Sequence, residues 1–76
     1  MQLKDVATIR FQDNASRGEG VAVIRAGKGL LALCLSLADD GDVEVVLHAK
    51  DSRKLLAALQ RASEIAEGTL SQDSSP

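Results

Sequence analysis

The chain has 76 residues and a mass of 8.0 kDa, with nine basic and eleven acidic side chains for a net charge of −2, so it is one small domain. Apolar residues make up 45% and charged residues 26%, with Phe11 the single aromatic, which excludes a collagen, a disordered tail, a disulfide scaffold and a membrane protein. Composition names no function.

A lone Cys34 makes neither an intramolecular disulfide nor a zinc site and fits a reducing compartment. The first residues lack the charged-then-apolar pattern of a secretory signal, and the longest apolar run, 30–35, is far short of the ~20 residues a membrane span needs. The expectation is a cytoplasmic protein without a membrane partner, for which the sequon Asn14-Ala15-Ser16 is silent. Leu and Ala, at 11 copies each, must do the packing, and Ala buries little. Ordering a residue costs roughly 1.5 kcal/mol, which so small a core barely offsets, and oligomerisation is the common remedy.

Residues 5–12 alternate: Ala7, Ile9 and Phe11 share one face, and Val6, Thr8, Arg10 and Gln12 the other. That period of two predicts a half-buried strand. Residues 13–20, rich in Asp, Asn, Ser and Gly, read as a loop. Residues 21–25 read as a second strand, followed by a tight connection at Ala26-Gly27-Lys28-Gly29. Residues 30–37 form a third strand with Leu31, Leu33, Leu35 and Leu37 on one side and Leu30, Ala32, Cys34 and Ser36 on the other; a helix would scatter these leucines with no polar face. Asp39-Asp40-Gly41-Asp42 is a hairpin turn, and 43–48 a fourth strand.

From about Ala49 the period becomes 3.6, and Leu55, Leu59, Ala62 and Ala66, widened by Leu56 and Ala58, form the stripe of an amphipathic helix. Asp51-Ser52 suits its N-cap better than His48, and Gly68 stops it. Residues 69–76 read as a disordered polar tail beyond a domain of 1–68. The predicted class is α+β: a four-stranded antiparallel meander followed by one C-terminal helix packed on one face. The helix is expected to cover Ile9, Phe11, Leu31, Leu33, Val45 and Leu47. Ala22, Ile24, Ala32, Cys34 and Val46 are placed on the opposite face, small and apolar enough to be a dimer interface.

Candidate chemistry is sparse. Gly27-Lys28-Gly29 fails as a phosphate loop, since Ala22 and Gly29 stand where Gly and Ser or Thr are needed. Asp39, Asp40, Asp42 and Glu44 lack calcium-loop spacing. Cys34 and His48 share a strand face but have no third orienting group. No catalytic residue, metal site or cofactor is expected. Basic residues concentrate early: residues 1–35 carry +2 and 36–76 carry −4. Arg10, Arg17, Arg25 and Lys28 could therefore touch phosphates, although neither a net basic domain nor aromatic platforms accompany them.

The element order over 5–66 resembles that of the single-stranded-DNA-binding transcriptional-coactivator and Whirly group, whose members assemble and bind single strands across β-ribbons. The resemblance is topological, and no residue is carried over. The leading expectation is a non-enzymatic interaction module, acting as a homodimer or larger assembly with itself or another protein. The alternatives are a weak single-stranded nucleic-acid binder, and a small-molecule or peptide sensor with a cleft at the dimer interface.

Overall fold

A computed structural model describes residues 2–38 and 41–68. Four strands, β1 (Lys4–Asp13), β2 (Gly18–Gly27), β3 (Leu30–Leu37) and β4 (Gly41–His48), form one antiparallel sheet in chain order, and α1 (Ala49–Glu67) packs against it. This is the β-β-β-β-α architecture expected. The acidic turn at Asp39 and Asp40 and the tail at 69–76 lie outside the described residues.

β2 is longer than predicted, because pairing draws Gly18, Glu19 and Gly20 into the ladder opposite Asp13, Gln12 and Phe11. Local loop chemistry loses there to backbone pairing. Gly20 is admitted by its lack of a side chain: the Phe11 ring occupies the place its Cβ would take. The remaining four-residue turn is held by Asp13, whose carboxylate accepts from the Ser16 hydroxyl at 2.6 Å and from the Ala15 amide at 3.2 Å. At the other end of β2, Lys28 and Gly29 alone join it to β3, with Gly29 at φ +69°.

β4 runs straight into α1. His48 is the N-cap, extended at φ −67° and ψ 150°, and makes no side-chain cap bond. The predicted cap at Asp51-Ser52 is thus corrected. Asp51 sits in the first turn, where it complements the helix dipole, and the Ser52 hydroxyl donates to the Ala49 carbonyl. The helix start is pinned instead by the Ala49 amide, which donates to the Gly29 carbonyl at 2.8 Å. Gly68 ends the helix as predicted, in the left-handed region at φ 86°.

Cross-strand partners share a face, so the register sorts the sheet. One face carries Ala26–Leu31–Leu47, then Ile24–Leu33–Val45, then Ile9–Ala22–Leu35–Val43, then Phe11–Gly20–Leu37. The other carries Thr8, Arg10, Val21, Val23, Arg25, Ala32, Cys34, Glu44, Val46 and His48. A bulge between Asp5 and Ala7 leaves Val6 unpaired and puts Asp5 opposite Arg25, interrupting the alternation predicted for β1. The helix lies on the first face, where Ser52, Leu55, Leu56 and Leu59 line a cleft with Ile24, Leu31 and Leu33.

Two placements differ from expectation. Hydropathy assigns Ala22 and Ile24 to the face away from the helix; the register puts them on the helix-bearing face, with Leu35 and Leu33. The helix was expected to close a core, yet none of its residues is buried. The buried apolar residues among those described are two alanines, Ala22 and Ala32.

Candidate functional site

The five residues proposed for a dimer interface do not form one surface. Ala32, Cys34 and Val46 share the outer face, and Ala22 and Ile24 are on the reverse. Ala32 is only 1% exposed within a single chain, so it offers a second copy nothing to cover. The sequence did hold the missing signal. A two-residue link at Lys28-Gly29 pairs Gly27 with Leu30 and hence Ile24 with Leu33.

What the fold does assemble is an apolar surface on the helix side. The row Ile9–Ala22–Leu35–Val43 crosses all four strands. Ile9 is 49% and Val43 61% exposed, Leu35 is also exposed, and Ala22 lies buried between them. The row therefore dips to a trough at Ala22, between the larger Ile9 and Leu35, with Val43 beyond. Beside it Val45 is exposed, and over the adjoining Ile24–Leu33 row Leu56 and Leu59 are more than half exposed on the helix. The charged strand residues of this face, Lys4 and Asp13, stand at the two ends of β1. The cleft under the helix holds about 150 Å³, below the roughly 300–1,000 Å³ of ordinary ligand pockets.

The basic residues are dispersed. Arg17 lies in the β1–β2 turn at φ 63°, and Lys28 in the turn at the opposite end of the sheet. Arg25 is engaged by Asp5, its Nε donating to Oδ1 at 2.9 Å. Arg10 and Arg17 do meet at an open depression of about 370 Å³, where Glu19 stands beside them and offsets one charge.

Cys34 and His48 share the outer face, but His48 pairs with Leu30, four residues from Cys34. At ~3.3 Å per residue that separates them by roughly 13 Å, too far for a nucleophile and its base. Among the described residues, no three of His, Cys, Asp and Glu converge as a metal site. No described helix is long and apolar enough to cross a membrane. Asp13 is held below the ordinary carboxylate range, first by the Ser16 hydroxyl and then by the Ala15 amide, both of which favour its charged form.

No family model, curated protein or solved structure matches the chain.

Proposed function

We propose that this protein is a non-enzymatic, self-associating interaction module whose helix-bearing sheet face is its assembly surface. The occupant of that face is a second copy of the chain. One observation carries the reading: every large apolar side chain of the face is left partly or mostly in water, and the trough Ile9–Ala22–Leu35–Val43 has nothing over it among the described residues.

Area supports it. Ile9, Leu35, Val43, Val45, Leu55, Leu56 and Leu59 are all exposed, and together they present roughly 600 Å² of apolar side chain, most of the ~800 Å² per partner that a specific interface buries. That is the upper end of the roughly 300–600 Å² that the largest apolar patch of a typical monomer shows, a patch that is often functional. Covering the patch also supplies the burial that the single chain lacks. A symmetric dimer needs a self-complementary surface, and both the bare trough and the exposed leucines belong to the same face of one chain. A net charge of −2 adds little repulsion between copies.

Multi-angle light scattering at tens of micromolar tests the reading. A dimer or larger closed assembly is expected, and Leu56→Glu should reduce it to the monomer. A wild-type monomer of 8.0 kDa at that concentration would overturn the reading and leave the face to a different partner.

A further inference from the structure

The two edges of the sheet are not alike. β1 is guarded: a bulge leaves Val6 unpaired, Lys4 stands at its start, and Asp5 is tied across to Arg25. Such devices keep an edge strand from pairing with another chain. β4 has no bulge, no Pro and no Lys, and its register with β3 is unbroken from Leu30–His48 to Leu37–Gly41. All of its residues but Leu47 are exposed, and no described strand lies on its outer side.

Two backbone bonds fix which groups that edge leaves free. The Ala49 amide donates to the Gly29 carbonyl in the β3–β4 register, and the Ala38 amide to the Glu19 carbonyl in the β2–β3 register. Bonded and non-bonded pairs alternate along an antiparallel ladder. Val43, Val45 and Leu47 therefore turn their amides and carbonyls toward β3. Those of Asp42, Glu44 and Val46, with the His48 amide, point out from the edge.

These free groups meet their own kind when the same strand of a second copy runs antiparallel beside it, with Val45 opposite Val45. That register sets Glu44 opposite Val46 twice, each pair exchanging both backbone bonds, and Asp42 opposite His48 at either end. It uses every free group and places a carboxylate against an imidazole. Centring on Glu44 instead would set two glutamates face to face, and centring on Val46 would leave Asp42 no partner on β4. On the helix side, Val45 meets Val45 and Val43 meets Leu47, in the non-bonded pairs where side chains approach closest. Val43 and Val45, 61% and 43% exposed, are thereby covered from the side.

We propose that the free edge of β4 is a second self-association surface, joining two copies into one continuous sheet with Asp42 of each beside His48 of the other. This rests on the face-to-face association proposed above. An edge contact one strand wide falls short of the ~1,200 Å² in total that a stable interface buries, so it joins copies already held by their faces. The twofold axis that pairs β4 antiparallel with itself is perpendicular to the sheet, and both helices emerge on the same side. Two such sheets meet through their helix-bearing faces, and the assembly closes at four chains. The edge links one face-joined dimer to another and leaves the equilibrium between dimer and single chain unchanged.

Glu44→Pro tests the edge without touching the ladder inside the chain, because the Glu44 amide faces outward. Light scattering should give four chains of 8.0 kDa for wild type, two for Glu44→Pro and one for Leu56→Glu. A wild-type dimer, or a tetramer that Glu44→Pro leaves intact, would overturn the edge pairing and leave the face association standing. A dimer that persists in Leu56→Glu and is split by adding Glu44→Pro would do the reverse. A wild-type monomer would overturn both. Oxidative cross-linking in a Cys34→Ser background reads the register. Chains carrying Asp42→Cys mixed with chains carrying His48→Cys should form a covalent dimer, and neither variant alone should. The two positions lie ~20 Å apart along one strand, beyond reach of a disulfide within the chain. Asp42→Cys linking to itself, or no link in the mixture, would overturn this pairing.

Discussion

The same four strands present two unlike faces. On the outer face, Arg10, Arg25, Glu44 and His48 alternate in space with Val21, Val23 and Cys34, and water suits most of what is there. On the helix face the rows are aliphatic or aromatic apart from Lys4 and Asp13 at the two ends of β1, yet the helix shelters only part of them. Exposure does not separate the two: Val45 on the helix face is 43% exposed, and Val46 on the outer face is 53% exposed. What separates them is the company each keeps. A valine among charged neighbours is an ordinary surface residue, whereas a valine continuing an apolar row is part of an unfinished core.

These adjacent valines give the sharpest test of that contrast. Val45→Glu places a charge in the covered layer of both copies and should raise the dimer dissociation constant about 1,000-fold, some 4 kcal/mol. Val46→Glu should leave it within a factor of about three. Sedimentation of the two variants at matched concentrations reads the difference, and equal effects would erase the distinction between the faces.

Leu59→Ala probes the same layer from the helix side. In an isolated chain Leu59 is 55% exposed, and its loss should cost about 1 kcal/mol. Covered by a second copy, it should cost about 2–3 kcal/mol in urea denaturation, with a midpoint that falls on dilution. A concentration-independent midpoint with the smaller cost would mean Leu59 stays in water.

Gly20→Ala disturbs the lower border of the trough. The added methyl group meets the Phe11 ring, which must leave the sheet. Overpacking of this kind costs about 1–3 kcal/mol. Unchanged thermal stability would show that the ring is not held there.

The smallest effect belongs to the far end of β1. Asp13 has its pKa lowered in the folded state, so the charged form is favoured on folding. Its contribution is present above the ordinary value of 3.8 and is lost as pH falls through the lowered folded value. Asp13→Asn should therefore flatten the acid limb of a stability–pH curve below about pH 4 and leave neutral pH nearly unchanged. Asp13 is half-buried at the edge of a solvated turn, so the change is slight.

Element type was legible in the residues for plain physical reasons. β3 and the helix start follow directly from the switch between periods of two and 3.6, and Gly68 from the left-handed conformation it adopts. Face assignment in β2 was harder. Val21 and Val23 alternate with Ala22 and Ile24, so both sides of that strand are apolar and hydropathy alone does not orient it. Only the register does, through the two-residue turn. The cap failed for a different reason: Asp51 has the right chemistry, but the strand delivers the chain into the helix three residues earlier. Partial coverage of the sheet had no local signature, since a stripe at helical spacing looks the same whether its own sheet or another copy receives it.

The direct passage from β4 into α1 has a consequence for how the chain tolerates changes in length. His48 closes a strand and Ala49 opens a helix, with no intervening loop to absorb a change of phase. One residue inserted on the helical side would turn the apolar stripe by about 100°, and one added to the strand would flip its end to the opposite side. The turn at Asn14–Arg17 bears no such constraint, because it carries no helix whose azimuth depends on it. Insertions and fusions are therefore best accommodated in that first turn, whereas the 48–49 junction, like the two-residue Lys28-Gly29 link, is a point where length itself is under structural control.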